Sequence, residues 1–180
     1  MDRRTLVVMG VSGVGKTSVA QELVARTGWV FAEGDDLHPE ANRQKMAAGH
    51  PLDDDDRWPW LRRIADWIGE QEQADRGAVI TCSALKRSYR DLLRDGHPSV
   101  YFVHLLAPPE LIEQRITARR GHYMPPSLLS SQLATLEPLQ PDEPGVGVET
   151  TGRPSEVAGR AMDALAALDA PVAVSTEEEH

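Results

Sequence analysis

The stretch Gly10-Val11-Ser12-Gly13-Val14-Gly15-Lys16-Thr17 decides how this chain folds. Before it stands Thr5-Leu-Val-Val-Met9, an apolar run of strand length, and after it Ser18 to Arg26 reads as a helix. Strand, then G-x-x-x-x-G-K-[ST], then helix is the context that identifies a phosphate-binding loop. Gly10, Gly13 and Gly15 can take positive φ and bring the backbone close to an anion. The N–H groups of the loop, those of Val11, Ser12 and Val14 included, then converge on phosphates with the helix dipole behind them. Lys16 is expected to reach the outer phosphates, and Thr17 to offer its hydroxyl to Mg²⁺. The competing reading is a glycine-rich turn that merely joins a strand to a helix; both the motif and its context stand against it.

The 180 residues include 19 Lys and Arg against 28 Asp and Glu, a formal charge of −9. That balance excludes a general nucleic-acid-binding surface. Cys82 is alone, which rules out an internal disulfide and suits a reducing compartment. Apolar runs fall short of the roughly 20 residues of a membrane span, and Met1-Asp-Arg-Arg4 leads straight into the first strand. The expectation is a cytoplasmic protein, one domain over residues 1–180, with no signal segment, no membrane and no nucleic-acid partner.

Further strands are expected at Trp29–Ala32, Ala78–Cys82, Val100–Leu106 and Val146–Thr150. Helices are expected over 37–49, after Pro59, over Arg87–Arg94, from about Pro109, and over Pro154–Leu168. Strand and helix alternate about five times, so the fold class is α/β: a five-stranded parallel sheet with helices on both faces. The segment from about 115 to 139 breaks the alternation. Its arginines (115, 119 and 120), the turn Gly121-His-Tyr-Met-Pro-Pro126 and a second helical run to about Glu137 make it a candidate helical lid. Residues 170–180 form a polar tail.

Phosphoryl transfer needs a phosphate cradle, a metal, a group that orients the acceptor hydroxyl, and cations for the transition-state charge. Asp35, at the end of the second strand, is the candidate acceptor-orienting carboxylate and general base; Glu33 is placed to help hold Mg²⁺. An ordinary acidic turn over Glu33 to Asp36 is the open alternative. The run Asp53 to Asp56 reads better as a loop that caps the next helix than as a metal cluster. Arg57, beside it, is suited to bind a substrate carboxylate bidentately. Arg119 and Arg120 either close over the transferring phosphoryl group or form a salt-bridged helix end. His38 and His122 are candidate substrate or lid contacts, and Cys82 is a core residue.

Several blocks beyond the phosphate loop resemble the bacterial gluconokinases, small P-loop kinases related to shikimate kinase. They are Glu33-Gly-Asp-Asp-Leu-His-Pro39 with Asn42 and Lys45-Met46, Gly49-His-Pro-Leu-Asp-Asp-Asp-Asp-Arg57, Cys82-Ser-Ala-Leu-Lys86 with Tyr89 to Arg94, and Ala118-Arg-Arg-Gly-His-Tyr123 with Gln132, Leu136 and Glu137. The likeness runs from Leu6 to about Leu168. It implies a P-loop NTPase fold of the nucleoside- and shikimate-kinase type, ATP and Mg²⁺ as cofactors, D-gluconate phosphorylated at its 6-hydroxyl, and a homodimer. It further implies a catalytic set of Lys16, Asp35 and Arg119. Around the sugar acid it suggests His38, Lys45, Arg57, Ser83, Lys86, Arg90, His122 and Gln132. Arg115 and Arg153 are plausible neighbours of the adenine. Two rivals remain: a kinase for another small hydroxy acid such as shikimate, or a nucleotide-binding switch. Against a GTPase switch, no N-K-x-D motif occurs.

Overall fold

The computed structural model describes residues 3–118 and 126–170. Five strands are β1 (Thr5–Met9), β2 (Val30–Glu33), β3 (Ala78–Thr81), β4 (Val100–Leu106) and β5 (Gly145–Glu149). The α-helices among the described residues are α1 (Lys16–Thr27), α2 (Glu40–Ala47), α3 (Asp54–Gln73), α4 (Arg87–Arg94), α5 (Pro109–Ala118), α6 (Pro126–Thr135) and α7 (Pro154–Asp169), with a 3₁₀ turn at Gly34–Leu37. All strand pairs are parallel and the order is β2-β3-β1-β4-β5.

Burial agrees with that order. β1 and β3 are buried along their whole length, as apolar strands covered on both faces must be. The chain steps one way across the sheet from β1 to β2 and the other way thereafter, so right-handed crossovers place helices on opposite faces. α1 packs with α7 and α3 with α4. β1 and β3 are neighbours whose outgoing connections run in opposite directions, so the phosphate loop opens at the point where parallel sheets bind ligands.

Most expected elements appear within a residue or two of their places. Two depart. The helix expected over 37–49 is split, because Gly34–Leu37 winds as a 3₁₀ turn and Pro39 caps α2. Helix α3 begins at Asp54 rather than near Pro59, which sits inside it. Asp53 and Asp56 form a reciprocal capping box that nucleates the helix upstream of the proline. Pro59 then forgoes one bond near an exposed end. Cys82 is buried, and burial pushes its thiol up to about 12, which leaves it an inert core group.

Arg90 is the first correction to the sequence reading. It is fully buried on α4, and its guanidinium grips Glu143 through two bonds of 2.7 and 3.0 Å. It also donates to the carbonyls of Ala84, Glu137 and Pro138. Every side of this fork is taken up by the protein, so Arg90 ties α4 to the 137–143 segment instead of meeting a sugar acid. Burial pushes the Glu143 carboxyl up, but hydrogen bonds from Arg90 and the Gln140 N–H outweigh it, and the group lies below its ordinary value of 4.5. A lowered folded value means that this stabilisation is present above 4.5 and is lost as pH falls through the folded value. Arg90→Met strands a buried carboxylate at a cost of about 3–5 kcal/mol. Thermal melts at pH 7 should fall by roughly 10 °C, and the gap to the parent should narrow on acidification; an unchanged melting temperature would refute the strut.

Candidate active site

The phosphate loop leaves β1 with Gly10 at φ 140°, Gly13 at 83° and Gly15 at 102°. The Gly10 N–H donates to Ser83 O at 3.3 Å, which fixes the loop against the end of β3. Lys16 Nζ donates to Gly10 O and Val11 O at 3.0 and 3.1 Å, so the lysine lies back along the loop it serves. At Gly13 a side chain is excluded twice over: by the positive φ, and because a Cβ would sit 2.6 Å from Ile116 of α5.

Thr17 donates to Glu33 Oε2 at 2.8 Å, and Thr81 donates to the other carboxylate oxygen. Thr81 in turn accepts from the Gly34 N–H at 3.1 Å. Glu33 is therefore held by two hydroxyls beside the loop. This all-oxygen set of Thr17 and Glu33 matches the hard donors Mg²⁺ prefers. Gly34 permits the arrangement, since a Cβ there would collide with Thr81 O at 1.9 Å. Thr81 went unnoticed in the sequence; its signal is a hydroxyl at the last position of an otherwise apolar strand.

A cavity of about 680 Å³ opens at these strand ends, lined among others by Ser12, Lys16, Asp35, His38, Arg57, Ser83 and Gln132. The acidic turn over Glu33 to Asp36 thus faces the loop. Arg57, on α3, is buried and accompanied by Tyr89, whose Oη accepts its Nη1–H at 3.0 Å. Among the described residues no carboxylate lies within 4 Å of Arg57 or of Arg43, which also lines the cavity from α2. Arg43 instead holds the carbonyls of Asp36 and His38 at 2.7 and 3.3 Å. Its contribution, and that of Trp60, whose Nε1–H donates to Gly34 O at 2.8 Å, were missed because both read as ordinary helix residues.

Two further expected contacts lie outside the cavity lining, for the reason seen at Arg90. Lys45 is drawn to Asp56 at 2.6 Å, with Asp53 at 3.7 Å, and the hydrogen bond it donates to Asp56 raises its pKa. Lys86 is paired to Asp54 at 3.0 Å, which raises its pKa in the same way. Tyr89 donates to the same carboxylate, and bonds from Tyr89 and Lys86 lower the Asp54 pKa. Both lysines brace the acidic end of α3. Gln132, on α6, lines the cavity but also clasps the phosphate loop: its Oε1 accepts from Ser12 N at 2.8 Å and its Nε2 donates to Ser12 Oγ at 3.1 Å. Arg119, Arg120 and His122 fall outside the described residues.

On the other side of the loop a second cavity of about 350 Å³ is bounded by Gly13, Gly15, Ser18, Arg115, Thr150, Gly152 and Pro154. Arg115 is fixed there by Val14 O at 2.9 Å, Thr150 Oγ1 at 3.0 Å and Thr150 O at 2.7 Å. Arg153 is exposed, between two lining residues but not itself lining.

A family model described as an AAA domain matches residues 6–139. The gluconokinase of Gluconobacter oxydans is 54% identical over 154 residues, covering 86% of each chain. The crystal structure of a gluconokinase from Sinorhizobium meliloti superposes with a TM-score of 0.82 at 44% identity, covering 92% of this chain and 93% of that one. Shikimate kinase from Aquifex aeolicus, at 13% identity and a TM-score of 0.64 over 92% and 98% of the two chains, shares the fold.

The crowding at Gly13 yields a direct test. Gly13→Ala should weaken binding of a fluorescent ATP analogue at least about tenfold, because the loop must shift off Ile116 by a substantial fraction of an ångström. Equilibrium titration beside an unchanged circular dichroism spectrum would establish this; parental affinity would show that the loop tolerates the displacement.

Proposed function

We propose that this chain, which belongs to the gluconokinase family, transfers the terminal phosphoryl group of ATP to the 6-hydroxyl of D-gluconate. The observation that carries the reading is the larger cavity. It holds Lys16 and Asp35 on the side of the phosphate loop, and elsewhere in its wall a buried arginine, Arg57, which among the described residues has no carboxylate within 4 Å. A polyhydroxy acid has the complementary chemistry: a hydroxyl at one end and a carboxylate at the other.

In the proposed reaction Arg57, with Arg43 at the rim, takes the carboxylate of the sugar acid. The far hydroxyl then meets Asp35, which aligns it for in-line attack and accepts its proton as the new O–P bond forms. Lys16 and the N–H groups of the loop gather the charge that develops on the phosphoryl oxygens. Arg119 is assigned to the same charge by its place in the A-R-R-G-H block. Mg²⁺, held by Thr17 with Glu33, would neutralise the nucleotide phosphates. The nucleoside is assigned to the smaller cavity beside Arg115, and the segment from 115 to 139 acts as the lid that excludes water. A cytoplasmic homodimer completes the reading, on the strength of the family resemblance. No helix among the described residues is long and apolar enough to cross a membrane.

Coupled ADP production with Mg·ATP and a panel of D-gluconate, other aldonic acids, shikimate and a nucleoside monophosphate should give a saturable response to gluconate. Lys16→Ala and Asp35→Asn should each cut that turnover at least about a hundredfold with the fold intact. Response to a different acid alone would remove the substrate assignment, and near-parental turnover in Asp35→Asn would remove the base.

A further inference from the structure

His38 lies in the wall of the larger cavity, and its environment fixes where its proton is. Asn42, four residues on in α2, has its Nδ2 2.8 Å from Asp56 O and 3.2 Å from His38 Nδ1. A backbone carbonyl only accepts, so the amide group facing it is the NH₂. That NH₂ brings only hydrogens to His38 Nδ1, which must therefore present its lone pair. In a neutral imidazole the proton then resides on Nε2. Nε2 points toward Asp35, 3.9 Å from Oδ1.

We propose that His38 is the positioning residue for Asp35: Asn42 holds it as the Nε2–H tautomer, and that N–H donates to the carboxylate that orients the acceptor hydroxyl. This role rests on the reading of Asp35 given above. The ring is the fixed partner, stacked on Trp60 at 4.1 Å and 13° and buried. The Asp35 side chain is 73% exposed and is the one that turns to close the gap. One carboxylate oxygen is then engaged by His38, leaving the other to the substrate. Burial lowers the imidazole to about 4; Asp35 opposes that shift, while Arg43 and Arg57 reinforce it. The ring is thus neutral near pH 7, and it orients the carboxylate without setting a full positive charge against it. Asn42 also keeps the ring from turning over, since a flipped ring would set C–H against its NH₂. This is a physical reason for the H-P-x-x-N spacing.

Two measurements on the intact enzyme test the role. Long-range ¹H–¹⁵N spectra of histidine-labelled protein, with the His38 signals assigned by their loss in His38→Phe, should show a protonated Nε2 and a bare Nδ1; the opposite tautomer overturns it. In steady-state kinetics His38→Phe keeps a ring over Trp60 but has no donor. Its kcat should fall about tenfold or more while KM for ATP stays within about twofold, and His38→Gln, which restores an N–H donor, should recover most of the loss. A ring that served packing alone would give the reverse order, with Phe active and Gln impaired. Full turnover in Asp35→Asn would remove the reading of Asp35 while leaving the tautomer result standing, so the two failures are separable.

Discussion

The Glu33 carboxylate, bonded by the hydroxyls of Thr17 and Thr81, is the interaction on which the site depends. It joins the first turn of α1, the end of β2 and the end of β3 at one point. Thr81 reaches on to the Gly34 N–H, and Trp60 to the Gly34 carbonyl, so the turn carrying Asp35 is pinned from both sides. Without a Cβ at Gly34 these strands approach more closely than any other residue would permit. The phosphate loop and the turn that carries Asp35 are thus parts of one hydrogen-bonded unit, built beside the neighbouring strands β1 and β3, whose connections leave in opposite directions.

Charge pairing does the rest of the selection. In a chain with more acids than bases, a cation near an acidic segment is neutralised by that segment unless packing keeps it away. Lys45 and Lys86 are taken by the start of α3, and Arg90 by Glu143. Arg57 is turned inward by α3 onto the Tyr89 hydroxyl, which stands between it and Asp54, while the carboxylates of Asp53 and Asp56 each accept from the other's backbone N–H in the capping box. A buried cation without a directly paired carboxylate is costly, and an incoming carboxylate would offset that cost.

This explains which parts of the molecule were legible in the sequence. The loop and the strands were readable because their signals are local: a glycine pattern and an apolar run. The same kind of signal, an acid two residues beyond β2, singled out Asp35. The roles of Lys45, Lys86 and Arg90 were not readable. Their partners lie 11, 32 and 53 residues away, and tertiary packing alone decides whether such a cation faces a cavity or a carboxylate. The same holds for Thr81, whose hydroxyl matters through a residue 48 positions distant. Family likeness suggested Lys45, Lys86 and Arg90 around the sugar acid, where the structure makes them struts.

The phosphate loop also divides the two cavities. Ser12 and Lys16 line the larger one, whereas Gly13, Val14 and Gly15 line the smaller. In-line transfer requires donor and acceptor to approach the moving phosphoryl group from opposite sides. On the proposed assignment of the acceptor to the larger cavity and the nucleotide to the smaller, a loop with a cavity on each flank would supply that arrangement before either substrate arrives, so that less binding energy is spent on bringing them into line. Gln132 adds a connection from α6 to the same loop through Ser12. The position of α6 and the geometry of the phosphate cradle are therefore coupled at one residue, which lies in the wall of the larger cavity.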